Sequence, residues 1–240
     1  MFRINGLWPS AQASTGNLIC KVLQLSCTLR VVPGLGRSLG CTVSWHNPRM
    51  LQSIPLRDAE ILYDPEFLSP EEADHFLAEF SQNIEWQQRS IKMFGRPVAQ
   101  PRLTAWYGEA DYTYSGLHWA AKTWPEELKQ LKARVEKHCG ETLNSVLANL
   151  YRDGQDSVGW HSDDEPELGR EPVIASVSLG VARSFYMKHR SDNAEWKILL
   201  THGSLLLMKG PTQHAWKHTL PKDKNIQEPR INLTFRRIAA

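Results

Sequence analysis

No acidic residue occurs in the first 57 positions, although six of the chain's 28 basic residues fall there. Acid-poor N-termini bearing Arg and Ser are a feature of organelle transit peptides, and this segment also lacks helix caps and clear periodicity. Residues 1–49 are therefore expected to be a disordered or targeting extension, with the folded domain over 50–240. Cysteine is scarce. Of Cys20, Cys27, Cys41 and Cys139, only the last falls in that domain, and no C-x-x-C pair occurs. Neither a zinc site nor a disulfide framework is signalled, which suits a reducing compartment. Apolar runs of about 18 residues are also missing, so no segment reads as a membrane-spanning helix and no membrane partner is expected.

What remains has an ordinary globular composition, 41% hydrophobic and 22% charged, in a length that supports one domain with a sizeable core. Residues 58–240 hold 22 basic against 26 acidic side chains. A domain of that balance does not attract phosphate as a whole, so a nucleic-acid partner requires a local basic patch.

Ser69-Pro70-Glu71-Glu72 is a capping box with proline at the first helical position. Ala73, Phe76, Leu77 and Phe80 follow at helical spacing, which predicts an amphipathic helix over 70–82. A second helix starts at Thr123-Trp-Pro-Glu126, turns Leu128, Leu131 and Val135 inward, and stops at Gly140. From Asn144 onward the pattern is β. Short strand-prone runs at 145–151, 174–179, 184–188, 196–200, 204–208 and 230–237 alternate with turn residues. Two helices followed by many short strands predict an α+β fold, with helices on one side of a two-sheet jelly roll.

Two stretches carry chemistry. In Trp160-His161-Ser162-Asp163, the His and Asp are spaced i, i+2, which places both on one face of an extended segment. An imidazole and a carboxylate together suit a divalent metal such as Fe(II). A polar turn that happens to follow a His would look the same. At the far end, Ile231, Leu233 and Phe235 alternate with Arg230, Asn232, Thr234 and Arg236, the pattern of a half-buried strand with a polar face. His202, His214 and His218 precede it, and each is a candidate for a third ligand. A 2-His-1-carboxylate triad leaves metal positions open for oxygen chemistry, and a neighbouring arginine face suits an anionic co-substrate.

A third stretch is less decided. Arg89, Lys92, Arg96 and Arg102 flank Met93-Phe94-Gly95, with Trp106, Tyr107, Tyr112 and Tyr114 following. Cations interleaved with rings suit a nucleic-acid strand. A surface hairpin whose aromatics pack inward explains the same pattern.

Taken in order, these motifs resemble the AlkB family of Fe(II)/2-oxoglutarate dioxygenases over about residues 60–238. Asn149-Leu-Tyr151, His161-Ser-Asp163-Asp164-Glu165, Ile174-Ala-Ser-Val-Ser-Leu-Gly180, Trp216-Lys-His218 and Pro229-Arg-Ile-Asn-Leu-Thr-Phe-Arg236 carry the resemblance. Pro101–Glu109 and Tyr112–Ser115 resemble the branch that repairs alkylated single-stranded DNA and RNA. The resemblance implies a double-stranded β-helix and an iron site of His161, Asp163 and His218. It implies that Arg230 binds the distal carboxylate of 2-oxoglutarate, that Arg236, Asn149 and Tyr151 complete its pocket, and that Asn232 shares their face. Tyr112 and Tyr114 would line the base pocket, Asp164 and Glu165 would contact the base, Arg102 would contact the strand, and Phe94 would fill the gap left by a flipped base. O₂ is the second co-substrate.

The implied activity is oxidative demethylation of 1-methyladenine- and 3-methylcytosine-type bases in DNA or RNA, single strands preferred, with formaldehyde released. A monomer is expected, cytoplasmic in a bacterium and nuclear or organellar in a eukaryote. Two other readings stay open. One is a dioxygenase of the same chemistry acting on protein or a small molecule, against which region 89–114 speaks. The other is a non-catalytic nucleic-acid-binding β-barrel, against which the intact triad speaks.

Overall fold

Strand alternation decides which way every functional side chain in this protein faces. The computed structural model describes residues 51–93, 96–109, 112–114 and 117–238. The expected extension at 1–49 lies outside them. The chain opens with β1 (Gln52–Ile54), β2 (Glu60–Asp64) and α1 (Pro70–Asn83). A hairpin of β3 (Gln87–Met93) and β4 (Arg96–Gly108) follows, then β5 (Tyr112–Tyr114), β6 (Leu117–Trp119) and α2 (Glu126–Cys139). The second half is β7 (Ser145–Tyr151), β8 (Val158–His161), β9 (Ile174–Gly180), β10 (Arg183–His189), β11 (Glu195–Leu200) and β12 (Ser204–Lys209). A short helix α3 (Thr212–Ala215), β13 (Trp216–Leu220) and β14 (Arg230–Arg236) end the fold.

Eight strands form a major sheet in the order β1-β2-β12-β9-β14-β7-β4-β3, and four form a minor sheet, β11-β10-β13-β8. The central strands of the major sheet are buried on both sides. One face carries Val146, Ala148, Val177, Leu205, Leu207, Leu233 and Phe235 against Phe76 and Phe80 of α1 and Leu128, Leu131 and Val135 of α2. The alternate residues, among them Trp106, Leu147, Ile174, Leu206 and Met208, meet Phe185, Met187 and Trp216 of the minor sheet. These are the two cores of a jelly roll with helices on its outside, as expected.

The expected helices are present. In the capping box of α1, the Ser69 hydroxyl accepts from the Glu72 N–H at 3.2 Å and the Ser69 N–H donates to the Glu72 carboxylate at 2.9 Å. Gly140 ends α2 at φ +70°, where a side chain is strained. β2, which pairs with β12, was not anticipated. The two readings of the aromatic stretch after Arg102 part here. Trp106 and Tyr107 are both buried, the first inside the roll and the second towards the helices. The inward-packing reading is right for these two rings, because β4 lies within the major sheet and has no solvated face there.

Two loops at one end of the roll are stitched together. The Gly154 N–H, between β7 and β8, donates to the Ile226 carbonyl at 3.0 Å, and the Asp223 N–H donates to the Gly154 carbonyl at 2.8 Å. Buried Arg183 reaches the same seam and donates to the carbonyls of Asp153 (3.2 Å), Asp156 (3.1 Å) and Pro221 (2.7 Å). A Cβ at Gly154 would lie 1.7 Å from the Asp223 carbonyl oxygen. Gly154→Ala must therefore part the loops and is expected to cost about 1–3 kcal/mol, the usual range for overpacking. Thermal denaturation checks this, and an unchanged melting temperature would show that the seam yields freely.

Candidate metal and co-substrate site

The site is built from inward-facing positions of both sheets. In β14, Arg230, Asn232, Thr234 and Arg236 line an interior cavity while Ile231, Leu233 and Phe235 pack on the helix side. β7 pairs with β14 so that Tyr151 opposes Arg230 and Asn149 opposes Asn232. From the minor sheet, His161 at the end of β8 opposes His218 of β13. The cavity is also lined by Arg102, Asp163, Ser176, Phe185 and Leu147.

His161, Asp163 and His218 converge, with one ligand atom from each lying within 4.8 Å of the others. The His161 and His218 rings stand 4.2 Å apart, edge to face. His161 Nδ1 lies 2.8 Å from the Gly159 carbonyl. A carbonyl only accepts, so the proton sits on Nδ1 and Nε2 keeps its lone pair for a metal. Two contacts hold Asp163. Its backbone N–H donates to the Gln213 side-chain oxygen at 3.0 Å, and its carboxylate forms an ion pair with Arg236 at 2.9 Å.

Protonation suits metal binding. Burial would raise Asp163, but the charge of Arg236 and the two nearby imidazoles outweigh it and hold the carboxyl at about 2. Burial, then the neighbouring His161, pushes His218 down to about 3. Burial also lowers His161, whose ring edge stays partly exposed. All three groups are therefore in ligand form at neutral pH.

Beside the triad lies a cationic pocket. Arg230 is buried, its guanidinium 5.4 Å from the Tyr151 ring centre, and one nitrogen donates to the Ser178 hydroxyl at 2.9 Å. Its Nε is buried with no hydrogen-bond partner among the described residues. No carboxylate pairs with it among them, and burial lowers its pKa to about 10. A buried guanidinium with a donor to spare awaits an anion. The donor set of the triad and this orphaned donor together fit a divalent metal with an anionic co-substrate.

The expected residues fall into three groups. His161, Asp163, His218, Asn149, Tyr151, Arg230, Asn232 and Arg236 all line the one cavity. Within it, Arg236 binds Asp163 directly, and the Asn232 amide donates to Ser176 Oγ and the Val177 carbonyl. Arg102 sits deeper than a strand contact should: it is buried, and its Nε donates to the Asn149 side-chain oxygen at 2.8 Å. At the rim, Asp164 is exposed and paired with Arg190 at 2.9 Å, and Glu165 is partly buried before a short 3-10 turn at Pro166–Leu168. Phe94 and the side chains of Tyr112 and Tyr114 lie outside the described residues.

The rival histidines stand elsewhere. His214 is on α3 with its ring on the Arg170 carbonyl, away from the triad. His202 accepts from the Gly180 N–H at 2.8 Å and faces Asp74. Sequence reasoning missed Gln213 and Arg183, which carry no periodic signal. It also gave no role to Ser176 and Ser178, whose alternation with Ala175, Val177 and Leu179 could have revealed them.

Residues 60–236 match the profile of the 2OG-Fe(II) oxygenase superfamily. The chain is 46% identical over 184 residues to the human "alpha-ketoglutarate-dependent dioxygenase alkB homolog 3", covering 72% of this chain and 64% of that one. It is 40% identical over 180 residues to the mouse "DNA oxidative demethylase ALKBH2", covering 70% and 75%. The chain belongs to the AlkB family of 2OG-Fe(II) oxygenases. It spans just under two thirds of the length of the human homolog 3 relative. The solved structure of OsALKBH1 shares the fold, with a TM-score of 0.56 at 18% identity over 77% of this chain and all of that one.

A test follows from the protonation states. Ligands that are already deprotonated release no protons on binding metal. Calorimetric titration with Mn(II) near pH 7, in two buffers of different ionisation enthalpy, should give nearly equal heats. Affinity should persist as pH falls through 6.5, because the folded histidines titrate below their usual value. Large proton release at neutral pH would contradict the arrangement.

Proposed function

We propose that this chain demethylates N-alkylated bases of the 1-methyladenine and 3-methylcytosine type in DNA or RNA, acting as a monomer and preferring single strands. The observation that carries this reading is the convergence of His161, Asp163 and His218 beside buried Arg230, whose Nε has no hydrogen-bond partner among the described residues. The names of the relatives, an alpha-ketoglutarate-dependent dioxygenase and a DNA oxidative demethylase, support the substrate class.

His161 Nε2, Asp163 and His218 would hold Fe(II). Bound iron supplies the activation of O₂: 2-oxoglutarate, O₂ and the N-methyl group become succinate, CO₂ and formaldehyde, leaving the base unmodified. The chain's own residues place the reactants. Arg230 fixes the distal carboxylate of 2-oxoglutarate through the donor that Ser178 leaves free, and Tyr151 stacks against that guanidinium. Arg236 keeps Asp163 ionised and oriented. Leu147, Ile174, Phe185, Leu200 and Met208 line the remaining wall and limit water. A base must leave its stack to reach such a recessed site, which costs a few kcal/mol from a duplex and less from a strand already open.

Arg230→Ala should raise the 2-oxoglutarate concentration needed for half-maximal turnover by about tenfold or more, since a charge-assisted pair contributes roughly 1.5–3 kcal/mol. Arg230→Lys should recover only part of this, because an ammonium lacks the planar fork. Unchanged 2-oxoglutarate dependence in both variants removes Arg230 from the pocket.

Mass spectrometry of methylated strands and of the same strands annealed to complements tests the substrate. Faster formaldehyde-coupled loss of methyl groups from single strands is expected. Equal or faster repair of duplex overturns the preference, and loss of methyl groups from neither overturns the substrate class.

A further inference from the structure

The outward face of the minor sheet carries a feature that the triad and the co-substrate pocket do not use. A surface groove of about 420 Å³ is lined by Trp160, Lys188, His189, Arg190, Asn193 and Lys217, with no carboxylate in the lining. Trp160 precedes His161 in β8, so when the imidazole turns inward the indole turns out, 46% exposed. Lys188 and Lys217 are register partners across β10 and β13, and Lys217 is exposed between buried Trp216 and His218. Lys188 Nζ stands 5.3 Å from the Trp160 ring centre. Two residues along β10, Tyr186 carries Lys197 of the next strand, β11, 5.3 Å over its ring. Four carboxylates flank the groove without lining it: Glu195 on Lys188 at 2.8 Å, Asp164 on Arg190 at 2.9 Å, and Asp58 and Asp192 on His189 at 3.2 and 3.4 Å, all with exposed acidic side chains. Such pairs are worth little and yield easily to a phosphate.

We propose that this face is a second binding track for single-stranded nucleic acid, outside the reactive cavity, with Trp160 as the base-stacking platform and Lys188, Lys217 and Arg190 as phosphate contacts. It rests on the demethylase reading for its substrate. Three observations select this occupant. The domain as a whole is more acidic than basic over 58–240, yet the groove itself is lined by Lys188, Arg190 and Lys217, with its carboxylates confined to exposed flanking pairs, which suits a polyanion. An indole 46% exposed among those cations, with Lys188 over its ring, offers a flat face to an unstacked base, which a duplex does not present. Arg190 also bonds the Ser162 hydroxyl at 2.8 Å, so the groove shares a wall with the segment that supplies His161 and Asp163. A strand lying in the groove is thereby held beside the cavity while its neighbouring bases are presented to it.

The test uses the full chain and a labelled single-stranded oligonucleotide of about 20 nucleotides, longer than the roughly 4–16 that one aromatic–cationic site covers. A methylated trinucleotide, which fills the reactive cavity alone, is the comparison substrate. Trp160→Ala should weaken binding of the long strand about fivefold or more, and Trp160→Phe should restore most of it. Lys188→Gln with Lys217→Gln should make the salt dependence shallower by about 1.4 in log–log slope, two phosphate contacts at roughly 0.7 each. In all these variants kcat/KM on the trinucleotide should stay at the wild-type value while that on the long strand falls.

Wild-type binding of the long strand in the folded variants, verified by melting temperature, overturns the track. Loss on the trinucleotide equal to loss on the long strand also overturns it. If Trp160→Ala weakens inorganic polyphosphate as much as the oligonucleotide, stacking is refuted. Failure of the wild-type chain to demethylate either substrate refutes the demethylase reading instead, a result distinguishable from loss confined to the variants.

Discussion

The interior of this jelly roll is organised around buried positive charge. Arg102, Arg230 and Arg236 line the cavity and are nearly inaccessible, against one lining carboxylate, Asp163. Taking an ion out of water costs several kcal/mol even after relaxation, and a fold tolerates it only where partners return most of that. Arg236 finds Asp163, and Arg102 finds Asn149 and the Ser157 carbonyl. Arg230 finds one hydroxyl and an aromatic face. The protein thus holds a site that is complete only with an anion in it. Binding that anion relieves a cost already present in the fold, which is how a small dianion can be held firmly by few contacts.

The same constraint explains why β14 sits in the middle of the major sheet. A strand with arginines at alternate positions cannot lie at the centre of an apolar sandwich unless its polar face meets a designed cavity. Here β9 and β7 flank it with Ser176, Ser178, Asn149 and Tyr151 at facing positions. The opposite faces of all three strands supply the core beneath α1 and α2. One set of backbone hydrogen bonds therefore fixes both the helix-side packing and the pocket. A register slip of one residue would exchange the two faces and bury the arginines against the helices.

Much of this was legible in the sequence, and for that reason. Period-2 alternation in 230–236 identifies the polar and apolar faces before any coordinates, and the i, i+2 spacing of His161 and Asp163 holds although β8 ends at His161. The capping box of α1 and Gly140 after α2 are local signals with local causes. What was not legible depends on partners distant in sequence. Trp106 and Tyr107 could be stacking rings or core rings until β4 is seen inside the sheet. Arg102 looks like a phosphate contact until Asn149, 47 positions away, is found bonded to it. His214 looks like a ligand on a strand until the four-residue turn of α3 takes it out of line.

Gln213 makes the last step clear. It lies next to His214, on the element that supplies no ligand, yet its side-chain oxygen accepts the Asp163 N–H, and its own amide rests against the Met208 sulfur at 3.7 Å. Asp163 follows the end of β8 and has no ladder partner to orient it. Its position is set from one side by Gln213 through the backbone and from the other by Arg236 through the carboxylate. The short helix before β13 is thus part of the site's support: it hands His218 to the strand and reaches back to hold the ligand that the strand alone would leave loose. A metal site needs this second layer as much as its ligands, because a carboxylate free to turn gives up the geometry that binds the metal.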